Sequence, residues 1–120
     1  MVQMQMMRRA AAILASATAL LAGCSAPSTS SARSQDRITA LTQLGSSGKL
    51  TDVPSVLPSL ASDDPLVRWT AQRTLLQLAG TTNGYDWAAS NASRERAIEN
   101  WKAWCRQQGI APAAAEVRRG

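Results

Sequence analysis

The side chains that most often carry enzyme chemistry are sparse in this sequence of 120 residues. It contains no histidine, the commonest general base and metal ligand, and it has eight carboxylates. Asp63 and Asp64 are the only adjacent acids, and their place before a proline is typical of a turn that starts a helix. Neither an oxygen-rich calcium loop nor a glycine-rich phosphate loop is present. We therefore predict no enzyme activity, no metal, no cofactor and no small-molecule substrate.

Cys24 is the residue whose surroundings indicate a covalent modification. It follows Leu21, Ala22 and Gly23, at the end of an apolar run that begins at Ala10 after two arginines. This is the layout of a secretory signal, and the run is too short to cross a bilayer, which takes roughly 20 apolar residues. Residues 21–24 also resemble the lipobox of bacterial lipoproteins at all four positions. The resemblance implies a diacylglycerol on the Cys24 sulfur, cleavage before Cys24 and acylation of the new amino group.

This interpretation predicts a location for the mature chain. Residues 1–23 are the signal peptide, and Cys24 anchors the protein by its lipid to the cell membrane or outer membrane, outside the cytoplasm and on the periplasmic face. Ser25 after the cysteine favours the outer membrane if the cell has two membranes. The alternative is a Cys24 that is buried or joined in a disulfide.

Processing also changes the charge and the cysteine count. The formal net charge is +5, but removal of Arg8 and Arg9 leaves 11 basic and 8 acidic residues, a net +3. Because no basic stripe alternates with stacking aromatics, we predict no nucleic-acid partner. Acylation of Cys24 leaves Cys105 as the one thiol, so no internal disulfide is expected. Its apolar neighbours favour a small buried side chain over a reactive thiol.

The remaining sequence predicts an all-α fold. It is rich in Ala and Leu, and it has no Phe and one Tyr, a balance that favours packed helices over a sheet. A flexible Ser-, Ala- and Pro-rich linker is expected over residues 24–34 and a frayed tail over residues 110–120. Between them, residues 35–109 are predicted to form one domain with four helices, at about 35–45, 53–62, 65–79 and 93–108.

The stretch from Leu57 to Gly80, LPSLASDDPLVRWTAQRTLLQLAG, carries a more specific pattern. It resembles a HEAT repeat, in which a proline bends the first helix, an acidic turn with a proline follows, and the second helix opens with Val-Arg. The matching positions are Pro58, Asp64, Pro65, Val67, Arg68, Ala71, Leu75 and Leu78. The resemblance implies a short stack of α-hairpins with Pro58 as a bend. It also implies that Arg68 bonds to Asp63 or Asp64 in a structural role.

A stack this short needs a cap, because repeat arrays usually take three or more units and only one full repeat follows the half-repeat at residues 35–44. The segment Gly84–Gly109 is predicted to supply it. Trp101 and Trp104 lie on one apolar helix face with Cys105 and are predicted to be core residues. This segment resembles a terminal element of bacterial envelope HEAT proteins. Tyr85, Asp86 and Trp87 are interpreted as a packed corner rather than a recognition site.

The function expected from these features is a membrane-tethered protein-binding or scaffold module of the bacterial cell envelope, with an envelope protein as its partner. Fold does not by itself give function, and the HEAT resemblance supplies this expectation by analogy. Trp69 and Arg73, on the outward side of the third helix, are the candidate partner-binding residues. The alternative is a structural envelope protein whose positive charge contacts anionic lipid or a cell-wall polymer.

Overall fold

Every regular element between residues 26 and 113, the part of the chain that the computed structural model describes, is helical. The α-helices are α1 (Ser34–Ser47), α2 (Val53–Val56), α3 (Pro65–Ala79) and α4 (Asn91–Gln107). Short 3₁₀ helices, Leu50–Asp52 and Leu57–Ala61, flank α2. The predicted all-α class is therefore confirmed. Cys24, the predicted signal peptide over residues 1–23 and the end of the tail from residue 114 lie outside the described residues.

The second helical segment is not the continuous helix expected over residues 53–62. It consists of three short pieces between Leu50 and Ala61, which we call the helical connector. Pro58 has no N–H to donate to the carbonyl one turn back, so α2 ends at Val56 and the backbone tightens into a 3₁₀ turn, although Leu57 keeps α-region dihedral angles. Pro58 itself is exposed, whereas Val53, Val56, Leu57 and Leu60 remain buried in the core.

Side-chain and glycine caps set the limits of α3. The Asp64 carboxylate accepts a hydrogen bond from the Leu66 N–H at 2.9 Å, and Pro65 occupies the first turn, where its missing N–H removes no helical bond. At the other end Gly80 adopts a left-handed conformation with φ of 73° and donates to the Leu76 carbonyl. These two ends fix the length of the helix at the centre of the fold.

Helix α3 packs against α1 on one side and against the helical connector on another, and α4 packs on the far side of the connector. The contacts show that α1 and α3 run parallel: Leu41 lies beside Thr74, and further along both helices Gly48 lies beside Leu78. At Gly48 a larger side chain would run into the Leu44 carbonyl and the Leu78 side chain, whereas at Gly45 it would clash only with the movable end of the exposed Gln77 side chain. The close approach of the two helices at the end of α1 therefore requires a glycine at position 48.

The core lies where α3, the connector and α4 meet. Trp101 is the largest of the fully buried side chains, and its indole N–H donates to the Thr82 carbonyl at 2.9 Å. Trp104 is partly buried and meets Trp101 edge to face, with ring centroids 5.2 Å apart. Cys105 is buried beside them. The large Trp101 ring thus closes the core from the α4 side.

Candidate binding surface

The candidate binding surface lies on the side of α3 that faces away from the core. Its four residues, which we call the α3 stripe, are Leu66, Trp69, Arg73 and Leu76. At 3.6 residues per turn their spacing of three, four and three places them within an arc of about 80°. The exposed fractions are 52% for Leu66, 39% for Trp69 and 50% for Leu76. On the opposite face Val67, Ala71 and Leu75 are fully buried.

Trp69 and Arg73, the two residues expected to bind a partner, contact each other on this surface. They are four residues apart on the helix, and the guanidinium carbon of Arg73 lies 4.9 Å from the centre of the Trp69 ring. This distance is that of a cation–π contact, worth about 0.5–1 kcal/mol at an exposed site. The pair therefore presents an ordered aromatic and cationic surface between two leucines.

A groove of about 190 Å³ runs beside the stripe, between α3 and α1. Leu66, Trp69 and Arg73 form part of one wall. The α1 wall consists of Ile38, Thr42 and Ser46. Arg73 is the one charged residue that lines the groove, so the surface is apolar and polar with a single positive charge.

Thr74 joins the two walls beneath the groove. Its side chain is buried, and its hydroxyl lies 2.9 Å from both the Leu41 carbonyl on α1 and the Thr70 carbonyl on its own helix. A hydroxyl has one proton, so the two acceptors share it. This buried contact holds the helices at a fixed separation.

Arg68 points away from the stripe and joins three parts of the backbone. Its Nη1 donates to the carbonyls of Ser62 at 2.8 Å and Asp63 at 3.1 Å, and its Nε donates to the Trp87 carbonyl at 3.1 Å. The structure thus brings Arg68 and Asp63 together, but through the main chain and not through the expected carboxylate. The Asp64 carboxylate caps α3, and the Leu66 N–H holds the pKa of Asp64 below its ordinary value of 3.8.

The loop after α3 is a packed corner. The Tyr85 hydroxyl is buried and donates to the Leu60 carbonyl at 2.7 Å. The Trp87 N–H donates to the Gln72 side chain at 2.8 Å, and the Asp86 carboxylate accepts from the Ala88 N–H at 2.9 Å. Burial raises the pKa of Tyr85 above its ordinary value of 10.0. These hydrogen bonds hold the loop to the core, and they use the polar groups of the corner.

Leu66 and Leu76 belong to the exposed surface but were not predicted from the sequence to do so. The signal was present in the spacing of Leu66, Trp69, Arg73 and Leu76, which repeats every three or four residues out of phase with the buried Val67, Ala71 and Leu75. The helix therefore has two faces with apolar residues. The face with Val67, Ala71 and Leu75 packs in the core, and the face with Leu66, Trp69 and Leu76 is exposed.

Residues 26–113 contain no cluster of three or more His, Cys, Asp or Glu side chains placed to hold a metal ion. In the same part of the chain, none of the helices is long and apolar enough to span a membrane.

Comparison with known proteins gives no match: no family model, no curated protein and no solved structure is similar to this chain. The HEAT resemblance therefore stays a prediction that depends on the motif between Leu57 and Gly80.

Proposed function

We propose that this protein is a lipid-anchored binding module of the bacterial cell envelope, and that the α3 stripe is where it binds another protein. One observation carries the proposal. Four large apolar side chains are exposed in the described part of the chain, and three of them, Leu66, Trp69 and Leu76, lie on the α3 stripe. Such clustering of exposed apolar surface is typical of an interaction site, whereas single exposed leucines are common on any protein.

The residue types of the stripe support protein recognition. Trp and Arg are enriched among the residues that dominate the binding energy of protein interfaces. Here they are already in contact with each other, at 4.9 Å, so a partner meets side chains that have lost part of their rotamer freedom before binding. The stripe also stands on a regular helix of 15 residues rather than on a loop. Both features lower the entropy cost of association.

The proposed anchor would hold this surface near a membrane. Residues 28–31 form a turn closed by a bond from the Ser31 N–H to the Ser28 carbonyl, and the Ser31 hydroxyl donates to the Asp36 carboxylate on α1 at 3.2 Å. The chain is thus connected to α1 from its first described residues. An extended chain covers about 3.3–3.6 Å per residue, so a lipid on Cys24 would lie within about 7 Å of Ala26. The tether proposed for the domain is therefore short.

A photo-crosslinking experiment tests the binding surface. We would place a photoreactive amino acid at Leu66 of the full-length chain, produce it in a bacterial host and irradiate intact envelopes. The matched control carries the same amino acid at Glu99, which is exposed on α4. The proposal requires a protein crosslink of defined mass from position 66 and none from position 99. Equal labelling from both positions, or lipid adducts alone, would refute it.

The anchor has its own test. The variant Cys24→Ser should leave the membrane fraction and appear among soluble proteins, whereas Cys105→Ser should stay with the membrane. Mass spectrometry of the native chain should show the added acyl mass on Cys24. If Cys24→Ser remains on the membrane and is released by about 0.5 M salt, where the Debye length is only about 4 Å, charge holds the protein there. That outcome favours the alternative of a structural protein that contacts anionic lipid or polymer.

A further inference from the structure

We propose that the partner of the α3 stripe is a second copy of this chain, bound by antiparallel packing of the two α3 helices, an assignment that rests on the proposed function. The stripe is symmetric about Ala71. Leu66 and Leu76 lie five residues on either side of it, and Trp69 and Arg73 lie two residues on either side. A twofold axis brings the same patch of both copies together and, in an antiparallel pair, reverses the direction of the second helix. The residues of a self-binding patch must therefore be complementary to the same residues in reverse order.

Antiparallel packing about an axis at position 71 matches the stripe with itself. Leu66 of one copy lies opposite Leu76 of the other, which buries two apolar pairs. Trp69 of one copy lies opposite Arg73 of the other, which adds two cation–π contacts to the one that already exists within each chain. A parallel pair would instead place each residue against its own copy and bring the two Arg73 side chains together.

The charges on this surface suit such a pair. Helix α3 carries no carboxylate, and Arg73 is the one charged residue that lines the groove. The cation therefore has no acid on its own helix, and the Trp69 ring of a second copy would add an indole face to the one that Arg73 already contacts in its own chain. In the antiparallel pair the two Arg73 positions differ by four residues along the axis, about 6 Å, and by an interhelical distance of about 8–10 Å. Their separation of roughly 11 Å exceeds the Debye length of about 8 Å at physiological salt.

The position of the N-terminal segment is compatible with one membrane for both copies. Pro27 and Thr29 lie by Ala40, Gln43 and Ser47, on the side of α1 that is turned away from α3. The twofold axis that relates two antiparallel helices is perpendicular to the plane that contains both of them. Because the stripe faces away from the connector and α1 packs on another side of α3, this axis runs in the direction from α3 to α1. Rotation about that axis leaves both N-terminal segments on the same side. Two lipid anchors on Cys24 would then reach the same bilayer.

The size of the contact predicts its strength. Helix α3 has 15 residues, a length of about 22 Å, and a single pair of such helices buries less than the roughly 1,200 Å² of stable complexes. The pair should therefore dissociate in dilute solution. On a membrane, tethering raises the effective concentration by orders of magnitude without any new contact. Self-association is thus coupled to anchoring.

Disulfide trapping tests both the partner and the orientation. Two differently tagged full-length variants, Leu66→Cys and Leu76→Cys, are purified from bacterial membranes, mixed in vesicles of a zwitterionic phospholipid and oxidised. Wild-type protein, which keeps Cys24 and Cys105, gives the background. The antiparallel pair predicts at least tenfold more crosslink between the two variants than between two copies of the same variant. Two cysteines at the same position lie about 15 Å apart along the axis, whereas a disulfide needs Cα atoms within about 7 Å. Equal yields, or none above background, would overturn it.

An exchange of residues gives a second readout. Trp69→Arg alone should reduce the crosslink at least tenfold, because it places two arginines opposite each other. The double variant Trp69→Arg/Arg73→Trp keeps an arginine opposite a tryptophan and should restore it to within about twofold of the parent. Failure of the exchange to restore the crosslink would reject the self-pair. Thermal unfolding midpoints equal to wild type show that each variant folds.

The two proposals fail in different ways. If the photoreactive Leu66 position captures a different protein and the cysteine pair gives no crosslink, the binding surface is real and its partner is not a second copy. If neither experiment gives a crosslink at the stripe, the proposed function fails as well.

Discussion

Tyr85→Phe is expected to destabilise the fold at neutral pH and to remove part of its sensitivity to alkali. The substitution deletes only the hydroxyl that donates to the Leu60 carbonyl at 2.7 Å. A buried hydrogen bond contributes about 0.5–1.5 kcal/mol net to stability. The Leu60 carbonyl, left buried without this donor, adds a desolvation cost. We expect a loss of about 1–2 kcal/mol, which lowers the unfolding midpoint by roughly 4–15 °C in a domain of this size.

The pH dependence follows from the raised pKa of Tyr85, which burial causes. A group whose pKa is higher in the folded than in the unfolded state favours folding fully below its unfolded pKa and loses that contribution as the pH rises through the folded value. For Tyr85 the loss begins near its ordinary value of 10.0. Above that pH the stability of wild type should fall more steeply than that of Tyr85→Phe, so the difference between them narrows.

The assay is unusually direct because Tyr85 is the only tyrosine in the chain. Tyrosinate absorbance therefore reports this one side chain, and urea unfolding followed by tryptophan fluorescence gives the free energy of unfolding at each pH. The phenylalanine variant controls for all other groups that titrate in alkali. Tyrosinate that forms at or below pH 10.0 in the folded protein would refute the assigned burial, and equal stability of the two proteins at pH 7 would refute the hydrogen bond.

Three other substitutions test the packing of the fold. Trp101→Phe should cost about 1–3 kcal/mol in urea unfolding, because it removes the indole N–H bond to the Thr82 carbonyl, which keeps only the Tyr85 N–H, and opens a small void in the core; a loss below about 0.5 kcal/mol would contradict it. Gly48→Val should lower the thermal midpoint, because a Cβ at position 48 would run into the Leu44 carbonyl, whereas Ser46→Val, at an exposed position of α1, should not. Arg68→Met should cost about 1–3 kcal/mol, because three backbone carbonyls lose a charged donor, and Arg106→Met, exposed on α4, is the control whose unchanged stability is expected.

The helices could be predicted from the sequence wherever a cap and an apolar period agree. Asp64, Pro65 and Gly80 mark both ends of α3, and the predicted 65–79 is the observed helix. The connector could not be predicted in the same way. Its apolar residues fit a helix, but Pro58 removes an N–H from the hydrogen-bond pattern, so local backbone geometry overrides the side-chain pattern. Periodicity reports which side chains are buried more reliably than it reports the type of helix.

The partners of the polar side chains were the least predictable part. Arg68 and Trp87 are 19 positions apart, and the sequence contains nothing that pairs them. The same holds for Thr74 and the Leu41 carbonyl, which are 33 positions apart. A backbone carbonyl is present at every residue, so residue type does not identify the acceptor. Only the packing of α3 against α1 and against the loop determines which carbonyls face these donors.

The two faces of α3 separate folding from binding. Val67, Ala71 and Leu75 are fully buried, so their truncation removes core contacts and must lower stability. Trp69 and Leu76 are exposed and contribute little to the core, so Leu76→Ala should change the free energy of unfolding by no more than about 0.5 kcal/mol. Trp69→Ala should cost about 0.5–1 kcal/mol, the worth of its contact with Arg73. Trp101 gives the opposite case, because the same residue type on α4 fills the core. A stripe variant that loses association while its unfolding curve stays unchanged is therefore a defect in binding, and one that loses both would show that the stripe is part of the fold.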